Sequence, residues 1–277
     1  MLLAFDVGNS NIVLGVFKDG ELIQDWRLET MRHRSADEYG MIVNQLFEFE
    51  GLRLADVRDV IISTVVPPVL YTLQHMARKY VGMSAMVVGP GIKTGLKIVY
   101  DDPTQVGADR IVNAVAALSK YGGPVIIIDF GTATTFCACT KDWRYVGGAI
   151  APGLKISSDA LFEKTAKLPR VEIDTPPSVI CKNTIESMQS GLVLGHRGAV
   201  EYITTRMKEE LSEIDGTGAP VHVVATGGMA NLMKMGTGCI EEVNRLLTLE
   251  GLAYIYEKNK KNAAAGADRI DPDWKEI

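Results

Sequence analysis

The sequence has no G-x-x-x-x-G-K-[ST] segment and no G-x-G-x-x-G fingerprint. A Walker-A loop and a Rossmann dinucleotide turn are therefore both excluded. It also has no C-x-x-C pair. Its four cysteines, Cys137, Cys139, Cys181 and Cys239, come with only four scattered histidines. That spacing argues against a zinc site. Cys137 and Cys139, two apart on an expected strand, face the same side and read as buried reduced thiols. No apolar stretch reaches the roughly 18 residues a membrane helix needs. The first residues, MLLAFDVGNS, lack the positive n-region of a signal peptide. A soluble cytoplasmic protein with no membrane partner is expected. Basic excess is missing as well: 29 Lys and Arg stand against 34 Asp and Glu, a net charge of −5. No nucleic-acid footprint follows from that balance. An acidic chain can still bind a polyphosphate through backbone N–H groups and a metal.

The chain of 277 residues, 47% of them hydrophobic, suits one large or two medium domains with a real core. Its first half reads β-β-β-α-β-α-β. Leu2–Val7 and Ile12–Phe17 are apolar runs, and Asp19-Gly20 is a hairpin signal leading into Glu21–Leu28. Ser35 and Glu38 form a capping box before a helix that Gly51 stops. Asp59–Val66 is a buried-strand pattern, Val69–Tyr80 a helix, Ala85–Val88 a short strand and Val106–Tyr121 a further helix. The pattern then restarts. VIIID at Val125–Asp129 repeats LLAFD, and a glycine follows each aspartate by two residues, in DVGNS at Asp6 and DFGTATT at Asp129. The two aspartates are 123 residues apart, close to half the chain. That is an internal duplication of a strand–turn–strand unit. Asn183–Leu211 reads as a long helix with Gly191, Gly195 and Gly198 on one face, suited to close approach of another backbone. Val221–Ala225 is a strand ending at Thr226-Gly227-Gly228, and Leu246–Tyr256 is the last apolar stretch. The halves are expected at 1–118 and 119–257, with a frayed polar tail at 258–277.

The repeated D-x-G turns carry the chemistry. A tight turn between strands offers backbone N–H donors, and its glycine lets a phosphate come close. Asn9, Ser10 and Asn11 in the first turn, and Thr132 with its neighbouring hydroxyls in the second, add side-chain donors. Asp6 can serve a phosphate only through Mg²⁺ or a metal-bound water. Paired Gly227-Gly228 after a strand would let an adenine or ribose lie against backbone. Asp109 falls in the first turn of the helix ending near Tyr121, where a carboxylate is favoured. Its plain alternative is a residue that only stabilises the helix dipole. Arg110 could grip a carboxylate with a bidentate fork, or form a surface ion pair. The segment GADRI occurs twice, at Gly107–Ile111 and Gly266–Ile270. The first copy leads into an amphipathic helix and is assigned the function; the second lies in the polar tail before Asp271-Pro272. The histidines His33, His75, His196 and His222 are given no catalytic role, with His222 expected in or at the edge of the core.

DVGNS, GADR, DFGTATT, GGAIAPG (Gly147–Gly153), KNTIESMQSG (Lys182–Gly191), ATGG (Ala225–Gly228) and LTLEGL (Leu247–Leu252) occur in this order. Together they resemble the type III pantothenate kinases of the actin/hexokinase/Hsp70 superfamily. The resemblance implies an α/β fold of duplicated actin-like (ribonuclease H-like) halves, with mixed sheets flanked by helices and ATP in a cleft between them. It implies ATP-dependent phosphorylation of pantothenate to 4'-phosphopantothenate in coenzyme A synthesis. Asp6, Val7, Gly8, Asn9, Ser10, Asn11, Ile12 and Val13 match the first phosphate motif, Thr132 the second, and Gly227 and Gly228 the adenosine motif. Tyr100, Gly107, Ala108, Asp109, Arg110 and Thr184 match pantothenate contacts, with Asp109 the general base. Asp129 matches a ligand of a monovalent cation, K⁺ or NH₄⁺, beside Mg²⁺. A homodimer is implied too. Two other readings share the phosphate motifs: a polyphosphate or nucleotide hydrolase with water as acceptor, and a nucleotide-sensing regulator. Tyr100 and Asp109-Arg110 favour the kinase.

Overall fold

The computed structural model describes residues 1–266. The described chain forms two compact units, Met1–Gly95 with residues 249–266, and Leu96–Thr248. The first unit holds strands β1 (Leu2–Val7), β2 (Asn11–Lys18), β3 (Glu21–Glu29), β4 (Asp59–Thr64) and β5 (Met86–Val87), with helices α1 (Ala36–Phe49) and α2 (Pro67–Met76). The second holds α3 (Ala108–Tyr121), β6 (Lys97–Ile98), β7 (Val125–Phe130), β8 (Ala133–Cys139) and β9 (Arg144–Pro152). It continues with α4 (Leu154–Lys164), α5 (Thr184–Gln189), α6 (Gly195–Asp215), β10 (His222–Gly227), α7 (Ala230–Lys234) and β11 (Glu242–Val243). The last helix, α8 (Leu247–Gly266), starts at the end of the second unit and runs on in the first.

In the first unit the sheet order is β3-β2-β1-β4-β5. The β3-β2-β1 meander is antiparallel, and β4 and β5 join in parallel. Asp19 and Gly20 turn the β2–β3 hairpin with φ of 53° and 86°, as a two-residue turn of matching twist requires. The strands alternate. Leu3, Phe5, Val7, Ile12, Leu14 and Val16 meet Tyr39, Val43 and Phe47 of α1 and Val69, Leu73 and Met76 of α2 in one core. The opposite face takes α8: a Cβ on Gly15 would lie 2.8 Å from the Leu249 side chain. Helix α1 starts as its sequence predicts. Ser35 Oγ accepts from Glu38 N at 3.2 Å, and the Glu38 carboxylate accepts from Ser35 N at 2.7 Å. Ser35→Ala should lower stability by about 1 kcal/mol, read as a shift in the chemical-denaturation midpoint.

The second unit repeats this plan. Its sheet order is β11-β10-β7-β8-β9-β6. β9-β8-β7 is an antiparallel meander, and β10 and β11 continue in parallel, as β4 and β5 do. β6 is an extra edge strand parallel to β9. Both faces of this sheet are covered. Ile126, Ile128, Phe136 and Val223 pack with Val193 and Val200 on one side. Val125, Ile127, Cys137, Cys139 and Val224 pack with Ala114 and Leu118 of α3 on the other. Burial on both faces explains why VIIID is continuous rather than alternating.

Several expectations change. The boundary expected after residue 118 falls inside α3; the units divide at Gly95/Leu96, and α8 belongs largely to the first. The tail expected to fray from 258 is helical to Gly266, and Asn259 is buried, its amide bonding the Lys93 backbone N–H and C=O at 3.0 and 2.9 Å. The rest of the second GADRI copy, 267–270, lies outside the described residues. The long helix is interrupted by a π-helical turn at Ser190–Leu194. A Cβ on Gly191, Gly195 or Gly198 would meet nothing within 4 Å, so no backbone among the described residues approaches that stripe. Among the described residues no helix is long and apolar enough to cross a membrane.

Candidate active site

The first D-x-G turn lies between β1 and β2. Gly8 N donates to Asn11 O at 2.9 Å and closes the turn. Thr30, just past β3, ties it down: Thr30 Oγ1 donates to Gly8 O at 2.7 Å and Thr30 N to Ser10 O at 3.0 Å. Asn9, Ser10 and Asn11 are exposed, while Val7 and Ile12 turn into the core. Those two can offer a phosphate only their backbone. Asp6 is half-buried at the end of β1.

The second turn lies between β7 and β8 and is one residue shorter. Gly131 N donates to Ala133 O at 3.1 Å, and Thr132 is exposed. Gly153 supports it from below, donating its N–H to Thr132 O at 3.2 Å. A Cβ there would run into the carbonyls of Thr132 and Gly131, which explains the last glycine of GGAIAPG. Asp129 is held from two sides. Its Oδ2 accepts from Asn113 Nδ2 at 3.2 Å, and Asn113 Oδ1 accepts from Thr248 at 2.7 Å. Its Oδ1 lies against Gly227, where a Cβ would sit 2.6 Å away. Gly227 has φ of 92°, a left-handed backbone that favours glycine. His196 borders the same turn. Its Nε2 lies 3.0 Å from Thr134 Oγ1 and its ring stands edge-on to Phe130. Burial lowers the His196 pKa, keeping the ring neutral.

A further group of candidates is built around the start of α3. Gly107 is the N-cap and Asp109 lies in the first turn, as expected. Burial raises the Asp109 pKa above the ordinary carboxylate value, opposed by the Arg110 N–H it accepts at 2.8 Å and by the Arg110 charge. Arg110 is no surface ion pair. It is 7% exposed, its Nε donates to Cys137 Sγ at 3.4 Å, and its guanidinium carbon lies 5.6 Å from the Tyr145 ring centre. Its Nη2 is buried with no hydrogen-bond partner among the described residues. Tyr100 completes the group, its ring centre 6.3 Å from that of Tyr145.

Tyr100, Asp109 and Arg110 therefore share one neighbourhood. Asn113, one turn further along α3, reaches Asp129. Thr184, the first residue of α5, is exposed and shares no hydrogen bond or ring contact with that group among the described residues. Gly228 is exposed beside Gly227. The first-motif residues belong to the first unit and the other candidates to the second. Sequence reasoning missed Tyr145, Asn113 and His196. Cys137 was read only as a buried thiol. The thiols of Cys137 and Cys139 are indeed buried and free, and burial raises both pKa values. His222 sits at a strand end, its Nδ1 3.1 Å from Glu241.

Two copies of one β-sheet plan, each with an aspartate and a glycine turn at its first hairpin, define an actin-like ATPase fold. Solved structures agree in fold. A conserved Baf-family protein from Campylobacter jejuni superposes with a TM-score of 0.56 at 17% identity, covering 94% of this chain and 99% of its own. Ethanolamine utilization protein EutJ from Carboxydothermus hydrogenoformans gives 0.50 at 18% identity, covering 91% and 89%. The sequence model of the type III pantothenate kinases matches residues 2–206. The chain belongs to the type III pantothenate kinase family.

Proposed function

We propose that the protein transfers the γ-phosphate of ATP to the 4'-hydroxyl of pantothenate, the first step of coenzyme A synthesis. One observation carries the choice of acceptor: the buried Arg110, with its unpartnered Nη2, directly follows the half-buried Asp109. A buried guanidinium favours an anionic partner, and a carboxylate beside it favours a hydroxyl. Pantothenate has a carboxylate at one end and a primary alcohol at the other. In this reading Asp109 Oδ accepts the hydroxyl proton as the oxygen bonds to phosphorus and the bond to the β-phosphate oxygen breaks. Phosphoryl transfer has little covalent work for a protein, so positioning and charge neutralisation dominate. Residues 6–13 and Thr132 hold phosphates, Gly227 and Gly228 the adenosine, and Tyr100, Gly107, Ala108 and Thr184 the rest of the acceptor.

The metal roles belong to the same proposal. Among the described residues no three His, Cys, Asp or Glu side chains converge on one point. Mg²⁺ that keeps its waters and takes nucleotide oxygens needs only one or two carboxylates. Asp6 fits that role through water. Asp129 Oδ1 and the Phe130 carbonyl both lie beside Gly227, an oxygen donor set suited to K⁺ or NH₄⁺. Bound there, the cation supplies positive charge beside the transferring phosphate. A cytoplasmic homodimer is part of the same reading, supported by the family.

The test is ADP release from Mg-ATP, with and without pantothenate, in Na⁺ and in K⁺ buffer. Release should require pantothenate and be faster in K⁺. Acceptor-independent release would replace the kinase with a hydrolase. ATP binding without release in any mixture would make the protein a nucleotide sensor.

A further inference from the structure

Arg110 enters its neighbourhood from α3, but the groups that aim it come from two other strands. Cys137 on β8 accepts from Nε at 3.4 Å. Tyr145 on β9 is fully buried, presents its ring to the guanidinium, and donates its own hydroxyl to the same sulfur at 3.5 Å. These neighbours share a property. A thiol and an aromatic face are both weak, soft acceptors. No described acidic side chain forms an ion pair with Arg110. A carboxylate in place of Cys137 would neutralise the cation and occupy its donors. The sulfur and the ring instead fix the plane of the guanidinium and leave its charge, with Nη2, for an outside anion.

We infer that Tyr145 and Cys137 are positioning residues that set the selectivity of this site for an acceptor ending in a carboxylate over one ending in a neutral group. The inference rests on the proposal that Arg110 receives the pantothenate carboxylate. It assigns a role to two residues outside the GADR segment, one of them on the strand that carries the start of GGAIAPG. Tyr100, stacked at an angle against Tyr145, extends the aromatic wall on that side.

The readout is a ratio that loss of structure alone would not move. kcat/KM is measured with pantothenate and with pantothenol, in which the carboxylate is replaced by a hydroxymethyl group. The full-length chain is used in each case. Tyr145→Leu removes the ring and should cut the acid-to-alcohol preference about tenfold, in line with a desolvated cation–π contact. Tyr145→Phe keeps the ring and should restore most of the preference. Cys137→Ala removes only the sulfur acceptor and should lower the ratio about threefold to tenfold, the range of one ordinary hydrogen bond. If Tyr145→Leu does not fold, Cys137→Ala decides alone. Equal losses on acid and alcohol, or an unchanged ratio, would overturn the inference. Arg110→Ala separates the two levels. If it keeps the wild-type preference, Arg110 does not read the carboxylate and the acceptor proposal fails with it. If it abolishes the preference while the Tyr145 and Cys137 variants retain theirs, this inference alone fails.

Discussion

Asp109→Asn should lower kcat by about 10²- to 10⁴-fold, the usual contribution of a positioned general base, while ATP affinity stays close to wild type. The same substitution should make the protein more stable at neutral pH. Burial raises the native pKa of Asp109 above the unfolded value of 3.8. The native state therefore binds more proton than the unfolded state between those two values. Wild-type stability falls as pH rises through that window and stays lower above it, because the buried group is then charged. Asparagine keeps the size and the acceptor for Arg110 N but carries no charge. Its advantage should be full at pH 8, shrink toward pH 4 and vanish below the unfolded pKa. Melting curves of both proteins across that range check the sign. A variant that melts below wild type at pH 8 would mean that burial does not govern this carboxylate. The acid limb of wild-type kcat/KM should accordingly lie above the ordinary aspartate range.

Much of this site is written locally, and some of it is not. The D-x-G turns, the Ser35–Glu38 box and the Asp19-Gly20 hairpin depend on residues within a few positions of each other, so a linear reading finds them. The duplication was visible because both hairpins repeat the same short pattern. Strand β9 was not, because RYVGGAIAP has two central glycines and a terminal proline and reads as loop. It is a strand because β8 pairs with it along its length, and Gly148 must be glycine because a Cβ would run into the Phe136 carbonyl. Helix α4 escaped notice because SSDA gives it little apolar periodicity. The surroundings of Arg110 come from β8 and β9, and no pattern near GADR announces Tyr145. The Asn113–Asp129 contact likewise joins a helix to the strand after it. Side chains that meet only through the sheet order leave no local trace.

Gly227→Ala should lower activity strongly although it adds only a methyl group. A left-handed L-residue costs about 1–2 kcal/mol, and here the new methyl would also lie 2.6 Å from both Asp129 Oδ1 and the Phe130 carbonyl. Either Asp129 turns away from Asn113 or the β7–β10 pairing opens. In both cases the carboxylate leaves its position beside the second D-x-G turn. Misplacement of about 1 Å near a reacting group can cost about 10²-fold, so kcat/KM for ATP should fall by that order and the K⁺ stimulation should shrink with it. Gly20→Ala is the matched control. Gly20 has a similar φ of 86°, but a Cβ there would meet nothing within 4 Å. It should lose stability to backbone strain and keep its activity. Equal activity in the two variants would show that the space around Asp129 is not what Gly227 preserves.

The first unit is assembled from both ends of the chain, and this fixes the order in which its parts are available during synthesis. Strands β1 to β5 emerge from the ribosome early, with one face closed by α1 and α2. The other face, at Gly15, waits for Leu249 and the buried Leu252 and Ile255 behind it. The second unit is one continuous stretch that ends before those residues, so its chain leaves the ribosome ahead of the helix that completes the first. The half that is made first is thus the half that is finished last.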